Sequence, residues 1–184
     1  MEEKEANKMD YTEKTINKNY IYKGKILNLR CDDAVLPNGQ ACKREIIEHN
    51  GGACVLYIEN GKAALVRQYR YAYGETVLEI PAGKLNTGED PLFAAGRELE
   101  EETGISASRL ELLCMMYPTP GYTNEKIYIY QAFDGKQGDR HLDEDEFLDV
   151  EWIPLEQIKA MLKTGEIKDA KTIIALQTYF LNEK

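Results

Sequence analysis

The chain has 184 residues, of which 43% are hydrophobic, and its formal net charge at pH 7 is −9. This length is enough for one domain with a good core and a small extension. The negative charge argues against general nucleic-acid binding, because phosphate backbones are held by Lys and Arg. No stretch approaches the length of a membrane span and no signal peptide is evident, so we expect no membrane partner.

The N-terminal quarter of the sequence predicts a charged tail followed by a small β-meander. Residues 1–13 are charged and weakly apolar, which is typical of a frayed tail. Within 14–48 we predict three antiparallel strands, because Lys-Gly-Lys and Pro-Asn-Gly segments mark the turns between them. The predicted strands are 14–22, 25–36 and 40–48.

Residues 49–184 predict a second domain that mixes strands and helices. Asn60-Gly61 marks a hairpin between strands at 53–58 and 63–69. A short strand at 77–80 leads into a Pro-Ala-Gly loop, and three later strands are predicted at 110–117, 126–133 and around 148–152. Helical spacing and capping residues predict helices at 91–103, 155–163 and 170–182.

The cysteines of the chain show neither CxxC spacing nor close pairing, which argues against a zinc site or a disulfide framework. They are Cys31, Cys42, Cys54 and Cys114. We expect them to be buried free thiols in a reducing compartment, and therefore a cytoplasmic protein.

The helix at 91–103 has the clearest boundaries in the sequence. Asp90 is a favourable N-cap, Pro91 suits the first helical position, and Gly104 suits a left-handed C-cap. Helical spacing predicts that its buried stripe consists of Leu92, Ala95, Gly96, Leu99 and Thr103.

Three carboxylates, those of Glu98, Glu101 and Glu102, are expected to flank that stripe without entering the core. Like charges at these helical spacings repel one another unless a cation lies between them. Hard divalent cations favour carboxylate oxygens, so the cluster predicts a site for Mg²⁺ that carries a phosphorylated ligand. The alternative is a solvated acidic face, the usual state of a Glu-rich helix.

Residues 83–105 resemble the Nudix box, the signature of the Nudix hydrolases. The match holds at every specified position, namely Gly83, Glu89, Arg97, Glu98, Leu99, Glu101, Glu102, Gly104 and Ile105. The resemblance implies an α/β (α+β) fold, a Nudix-type α/β/α sandwich with a mixed sheet. It also implies binding of Mg²⁺ or Mn²⁺ and hydrolysis of a nucleoside diphosphate linked to another group.

The same resemblance implies roles for individual residues. The metal ligands would be Glu98, Glu101, Glu102 and the carbonyl of Ala82. Arg97 would hold Glu89 and orient the cluster.

An acidic run at 143–146 is a second candidate for chemistry. Most charge runs are solvated loops, but metal-assisted phosphoryl hydrolysis needs a base for water or a further ligand. In the ADP-ribose pyrophosphatase branch of the Nudix family, which this chain resembles, a late acidic loop supplies that group. The resemblance favours Glu144, with Glu146 second.

Longer motifs carry the resemblance to that branch: Arg44-Glu45 before the segment 49–53, then 67–70, 78–83 and 118–125. They imply hydrolysis of the diphosphate bond of ADP-ribose to AMP and ribose 5-phosphate. The implied substrate contacts are Arg44, Glu45, Arg70, Glu79, Gly121 and Glu125. Guanidinium forks match phosphate oxygens, although each arginine could also be a plain surface residue.

The meander at 14–48 exposes strand edges, which raises the question of a partner. Related enzymes of the branch use such a segment to form a homodimer, and the alternative is a meander packed on its own chain. Two alternatives to the function also stay open. The substrate could be another nucleotide sugar such as GDP-mannose, or the domain could sense nucleotides without catalysis, against which the intact box argues.

Overall fold

The computed structural model describes residues 10–142, 144 and 146–183. Most of the predicted tail, 1–9 of 1–13, therefore lies outside the described residues. The chain divides into two compact units. The first contains the described residues up to His49 together with Thr119–Asn124, and the second contains Asn50–Pro118 and the described residues from Glu125 onward.

The first unit is an antiparallel sheet, as predicted, but its first strand is broken. The strands are β1 (Lys14–Asn17), β2 (Tyr20–Lys23), β3 (Asn28–Val35) and β4 (Ala41–Glu48). Both β1 and β2 pair with β3, and β4 also pairs with β3 along its whole length. The break falls where Asn19 donates side-chain hydrogen bonds to the Cys31 carbonyl at 3.1 Å and to Asp33 Oδ2 at 3.0 Å. Such a side chain competes with the regular ladder.

The second unit contains the remaining elements in a seven-stranded sheet. Its strands are β5 (Gly52–Glu59), β6 (Lys62–Arg70), β7 (Glu75–Glu79), β8 (Ala82–Lys84), β9 (Ile105–Met116), β10 (Ile127–Gln137) and β11 (Leu148–Pro154). Its helices are α1 (Pro91–Thr103), α2 (Leu155–Thr164) and α3 (Ala170–Asn182). The order is β11-β6-β5-β10-β9, with β7 beside β6 and β8 beside β5. The pairing of β5 with β10 is parallel, so the sheet is mixed.

Strand β5 shows why this unit has three layers. Its successive side chains point to opposite faces, as the strand period of two requires. Cys54 and Leu56 join the core that contains Ile158 of α2 and Leu176 of α3. Val55 joins the opposite core, to which α1 contributes buried alanines and a leucine. The predicted α/β/α sandwich with a mixed sheet is therefore confirmed.

Helix α1 begins and ends where the sequence predicts. Asp90 accepts a hydrogen bond from the Leu92 amide at 2.8 Å, and Gly104 has a φ of +74° in the left-handed region. The buried face of α1 differs from the prediction. Leu92 is exposed and Gly96 is only partly buried, whereas Glu98 and Glu102 are buried.

The small residues of α1 determine which of its faces packs against the sheet. The buried positions form two adjoining rows four residues apart: Ala94, Glu98 and Glu102, then Ala95, Leu99 and Thr103. Small side chains allow the helix to approach the sheet closely, and the acids in the first row are carried into the core.

Other differences concern strand ends. The segment 82–84 is a short strand, β8, where the sequence predicted a loop. Strand β9 begins at Ile105, directly after the α1 cap, and not at residue 110. No described helix is long and apolar enough to cross a membrane.

Candidate functional site

Glu98 and Glu102, one turn apart on α1, are buried carboxylates with raised pKa values. Their residues are 6% and 2% exposed. Burial raises the pKa of Glu98 to about 7, and the nearby carboxylates of Glu101 and Glu146 add to the shift against the opposing effect of Arg97. Burial, followed by the charge of Glu98, raises the pKa of Glu102 to about 8. Both groups therefore have too little positive charge around them for the ionised form to be favoured at neutral pH.

Strand β8 forms the surface against which both carboxylates lie. The amide of Ala82 donates a hydrogen bond to Glu102 Oε2 at 3.1 Å. A Cβ atom added to Gly83 would lie 2.0 Å from Glu98 Oε1 and 2.1 Å from Glu98 Cδ. Glu98 therefore occupies the space that any larger residue at 83 would fill.

Arg97 is the cation at the other side of this cluster. Its Nη1 atom lies 2.8 Å from Glu98 Oε1 and 2.7 Å from Glu101 Oε2, and its Nε atom lies 3.2 Å from Glu89 Oε1. Burial alone would lower the pKa of Arg97, but these carboxylates outweigh burial and raise it. Glu89 is fixed in turn, because its Oε2 accepts a hydrogen bond from the Asn86 amide at 2.8 Å.

The donor set fits a hard divalent cation, although the ligands are not gathered around one point. Among the residues that the structure describes, no three or more His, Cys, Asp or Glu side chains are grouped closely enough to hold a metal ion. Arg97 explains this in part, since its guanidinium lies between Glu98 and Glu101. Burial and mutual repulsion favour the protonated forms of Glu98 and Glu102, so a cation placed between them would stabilise their ionised forms.

The segment that precedes the acidic run contacts the C-terminal end of α1. The Gly138 amide donates to the Gly104 carbonyl at 2.7 Å, and the His141 amide donates to the Glu101 carbonyl at 3.0 Å. Farther along, the carboxylate of Glu146 raises the pKa of both Glu98 and Glu102. Glu144 is an exposed turn residue, and the other two acids of the predicted run, Asp143 and Asp145, lie outside the described residues.

A second ionic cluster lies where β6, β7 and α3 meet. Arg70 forms a two-bond fork with Glu79, with Nε to Oε1 at 2.6 Å and Nη2 to Oε2 at 2.7 Å. Lys171 also contacts Glu79 Oε2, and its Nζ atom lies 3.0 Å from Asp169 Oδ1. Burial would raise the pKa of Glu79, but its cationic partners Arg70 and Lys171 hold it below the ordinary value of 4.5.

Sequence reasoning missed Lys171 and Asp169. A signal was present, because a lysine in the first turn of a helix opposes the helix dipole and calls for a specific acidic partner. Arg70 is also close enough to Glu102 for the two charges to shift each other's pKa. The second cluster therefore adjoins the first.

The first unit contains a separate cavity of about 430 Å³. Arg44, Glu45 and Gly121 line it, together with two buried residues of β3, Arg30 and Asp32. Arg30 Nη2 lies 3.3 Å from Asp32 Oδ2, yet neither carboxyl oxygen of Asp32 has a hydrogen-bond partner among the described residues.

The predicted substrate contacts are thus divided between the units. Arg44 is paired with Glu13 at 2.6 Å within the first unit. Arg70 and Glu79 lie together in the second unit, which also contains Glu125.

Comparison with known proteins identifies the family to which this chain belongs. Residues 48–176 match the family described as the NUDIX domain, and residues 13–47 match the nucleoside diphosphate sugar hydrolase N-terminal domain. The chain is 42% identical to the ADP-ribose pyrophosphatase of Bacillus subtilis (strain 168), covering 93% of this chain and 94% of that protein. It is 43% identical to the methanol dehydrogenase activator of Bacillus methanolicus, with coverage of 94% and 95%.

A solved structure has the same fold. The crystal structure of an ADP compounds hydrolase superposes with a TM-score of 0.83 at 23% identity, covering 96% of each chain. The chain therefore belongs to the Nudix family, as a NUDIX domain preceded by the N-terminal domain of nucleoside diphosphate sugar hydrolases.

Proposed function

We propose that this chain hydrolyses the diphosphate bond of ADP-ribose, giving AMP and ribose 5-phosphate, with a divalent metal ion as cofactor. The observation that carries the proposal is the pair of buried carboxylates, Glu98 and Glu102, held against β8 with raised pKa values. Similarity over most of the chain to a protein named ADP-ribose pyrophosphatase supports the choice of substrate.

Nudix hydrolases generally use divalent cations, and we propose Mg²⁺, with Mn²⁺ as the alternative. Glu98, Glu102 and the Ala82 carbonyl would hold the ion, and Glu101 would join them if Arg97 kept only its contact with Glu89. When bound, the ion supplies Lewis-acid polarisation of the phosphoryl oxygens. Arg97 orients the acids that it touches.

Glu146 is our proposed base for the attacking water, ahead of Glu144. Its charge affects both Glu98 and Glu102, which supports a position near the site, whereas Glu144 is exposed. This reverses the order that the sequence favoured. A carboxylate there can take a proton from water as it attacks one phosphorus in line.

Arg70 is our proposed ligand for the substrate diphosphate. Glu79 accepts hydrogen bonds from the Nε and Nη2 atoms of Arg70, but the Arg70 side chain is still 38% exposed. A planar guanidinium matches the geometry of phosphate oxygens, and its positive charge would stabilise the negative charge that develops on the leaving phosphate. Arg44, Glu45, Gly121 and Glu125 stay proposals as further substrate contacts.

We further propose a cytoplasmic homodimer. The N-terminal strands β1 and β2 carry exposed apolar residues, including Ile16, Ile21 and Tyr22, of the kind that a second copy would cover. The four cysteines are free, the state expected in a reducing compartment, although only Cys54 is buried where the sequence predicted four buried thiols. Measuring the mass of the 21.0 kDa chain in solution tests the dimer.

The test of the reaction is chromatography of products formed from ADP-ribose and Mg²⁺. We expect AMP and ribose 5-phosphate from the wild type, and a loss on the order of a hundredfold or more, about 3 kcal/mol, in a Glu98→Gln variant. Glu100→Gln is the matched control, because Glu100 is an exposed carboxylate on the same helix.

A substrate panel of ADP-glucose, GDP-mannose and NADH separates the alternatives. Faster hydrolysis of GDP-mannose than of ADP-ribose would overturn the substrate while keeping the reaction class. Binding of ADP-ribose without cleavage of any compound, with Mg²⁺ or Mn²⁺, would favour a nucleotide sensor. Equal losses in Glu98→Gln and Glu100→Gln would contradict the metal-site assignment.

A further inference from the structure

We propose that Lys171 is a positioning residue for the substrate diphosphate, acting through Glu79 on Arg70. The inference rests on the proposed function, in which Arg70 binds phosphate. It adds the first turn of α3, far along the chain from the Nudix box, to the groups that set up the site.

The link from Lys171 to Arg70 is a single buried carboxylate. Glu79 is 2% exposed and accepts two hydrogen bonds from Arg70 through separate oxygens. Lys171 donates to Oε2, the oxygen that also receives Arg70 Nη2. Because this carboxylate is buried among fixed partners, a change on its Lys171 side alters the orientation of the acceptor that holds Arg70 and the number of cations that neutralise it.

The charges of the cluster explain why a lysine is needed. Arg70 and Lys171 carry two positive charges, and Glu79 and Asp169 carry two negative charges, so the four side chains together are neutral. Without Lys171 the same group has a net charge of −1, beside the proposed diphosphate site at Arg70. Buried charges are poorly screened, so Arg70 would then face both carboxylates without Lys171 and would have less positive charge to offer an anionic substrate.

The backbone around Glu79 is fixed by the same turn of α3. The Ile80 amide donates to Thr172 Oγ1 at 2.8 Å, and Thr172 Oγ1 donates to Asp169 Oδ2 at 2.6 Å. One residue later, the Pro81 carbonyl accepts from the Val55 amide at 2.9 Å. Lys171 therefore contacts Glu79 from a rigid position, which is what a positioning residue requires.

The first experiment compares Lys171→Met with Lys168→Met. Lys168 is the matched control, because it pairs with Glu75 and so joins the same two chain segments, but both partners are exposed. For Lys171→Met we expect KM for ADP-ribose to rise about tenfold, the size of one lost charge-assisted contact, with a smaller change in kcat. Lys168→Met should leave both constants unchanged, and Lys171→Arg should restore most of the loss.

A binding measurement separates positioning from catalysis. Calorimetric titration of ADP-ribose into the metal-free protein, in which EDTA prevents turnover, should show the same tenfold weakening for Lys171→Met. Thermal unfolding of each variant identifies a general loss of structure. If Lys171→Met is too unstable to assay, Lys171→Gln and Lys171→Arg carry the comparison.

A double-mutant cycle with Arg70→Ala provides the decisive test. If Lys171 acts through Arg70, then Lys171→Met should weaken binding in the wild type but have almost no further effect in an Arg70→Ala background. Additive losses, or an unchanged dissociation constant for Lys171→Met, would overturn the inference. Failure of the wild type to bind or cleave ADP-ribose would instead overturn the proposed function, so the two failures are distinguishable.

Discussion

Glu79 and Glu102 are equally buried carboxylates in the same unit, each 2% exposed, yet their pKa values move in opposite directions. The pKa of Glu79 lies below the ordinary value of 4.5, because Arg70 and Lys171 both contact it and outweigh burial. The pKa of Glu102 rises to about 8, because burial and the neighbouring Glu98 outweigh the Ala82 amide and the more distant Arg70.

The contrast separates an acid that is already neutralised from one that is not. Glu79 has its cations supplied by the protein, so it stays ionised and can hold Arg70 in place. Glu102 and Glu98 share too little positive charge, so a divalent cation would relieve repulsion that folding has created. Burial alone therefore does not distinguish Glu79 from the proposed metal ligand Glu102, whereas the number of cationic partners does.

Gly83→Ala is the substitution that should disturb this contrast most. The new Cβ would meet the Glu98 carboxyl group at 2.0 Å, so Glu98 must move away from β8. We expect metal affinity to fall by about 10–100-fold and turnover to fall with it, while stability drops by about 1–3 kcal/mol. Metal titration and product chromatography measure the first two effects.

Gly96→Ala is the control for that variant. Gly96 lies on α1 and a Cβ there would meet no atom within 4 Å, so the substitution should stabilise the helix by about 0.5–1 kcal/mol and leave turnover unchanged. Normal metal affinity in Gly83→Ala would show that Glu98 is not held by β8 in the way the contrast requires.

The sequence was sufficient for α1 because its boundaries depend on local chemistry. Asp90 and Gly104 act on neighbouring backbone groups, and both caps form as predicted. Of the predicted buried face, Ala95, Leu99 and Thr103 are indeed buried. The burial of Glu98 and Glu102 was missed, because burial depends on which side of the helix can approach the sheet. Ala94 and Ala95 decide this through packing against distant strands, which spacing within the helix does not reveal.

The ionic clusters divide in the same way. Arg97 and Glu89 are eight residues apart and follow from a local motif, and they do lie in contact. The contact between Lys171 and Glu79 joins residues 92 positions apart, so it depends on the docking of α3 against β7. Glu146 was a second choice because one sequence cannot fix the register of four consecutive acids. Its electrostatic influence on Glu98 and Glu102 comes only from the folded chain.

The pH dependence of stability should reveal the unneutralised pair. Between the ordinary pKa of 4.5 and the folded values of about 7 and about 8, the native state binds more protons at Glu98 and Glu102 than the unfolded state does. These two groups therefore make the metal-free protein less stable as pH rises through that window. Glu79 acts in the opposite sense, and its contribution is lost as pH falls below 4.5.

Thermal unfolding in EDTA at pH 5.5 and pH 8 measures this effect. We expect Tm to be several degrees lower at pH 8, and Mg²⁺ to raise Tm more at pH 8 than at pH 5.5. A Glu102→Gln variant should reduce the pH difference, because the group with the larger shift is gone. A Tm that rises steadily across this interval in the wild type would contradict the assignment.

The smallest effect is expected for Glu151, which, like Glu79, pairs with an arginine through both carboxyl oxygens but is far more exposed. Arg67 contacts both carboxyl oxygens of Glu151, with Nη2 to Oε2 at 3.1 Å, and lowers its pKa. The side chains of this pair are 39% and 36% exposed. Glu151→Gln should therefore cost less than about 1 kcal/mol of unfolding free energy, and less still in high salt.

Comparison with Glu79→Gln tests whether the low cost of Glu151→Gln in unfolding free energy comes from the exposure of its ion pair. Removing the charge of Glu79 leaves Arg70 and Lys171 without the negative charge that they share, and breaking a buried pair costs about 3–5 kcal/mol. Denaturant unfolding of both variants gives the two numbers directly. Similar costs would mean that the arginine contact sets the energy whether or not the pair is buried. The difference between Glu79 and Glu102 would then depend on how many cations contact each carboxylate, and burial would have no part in it.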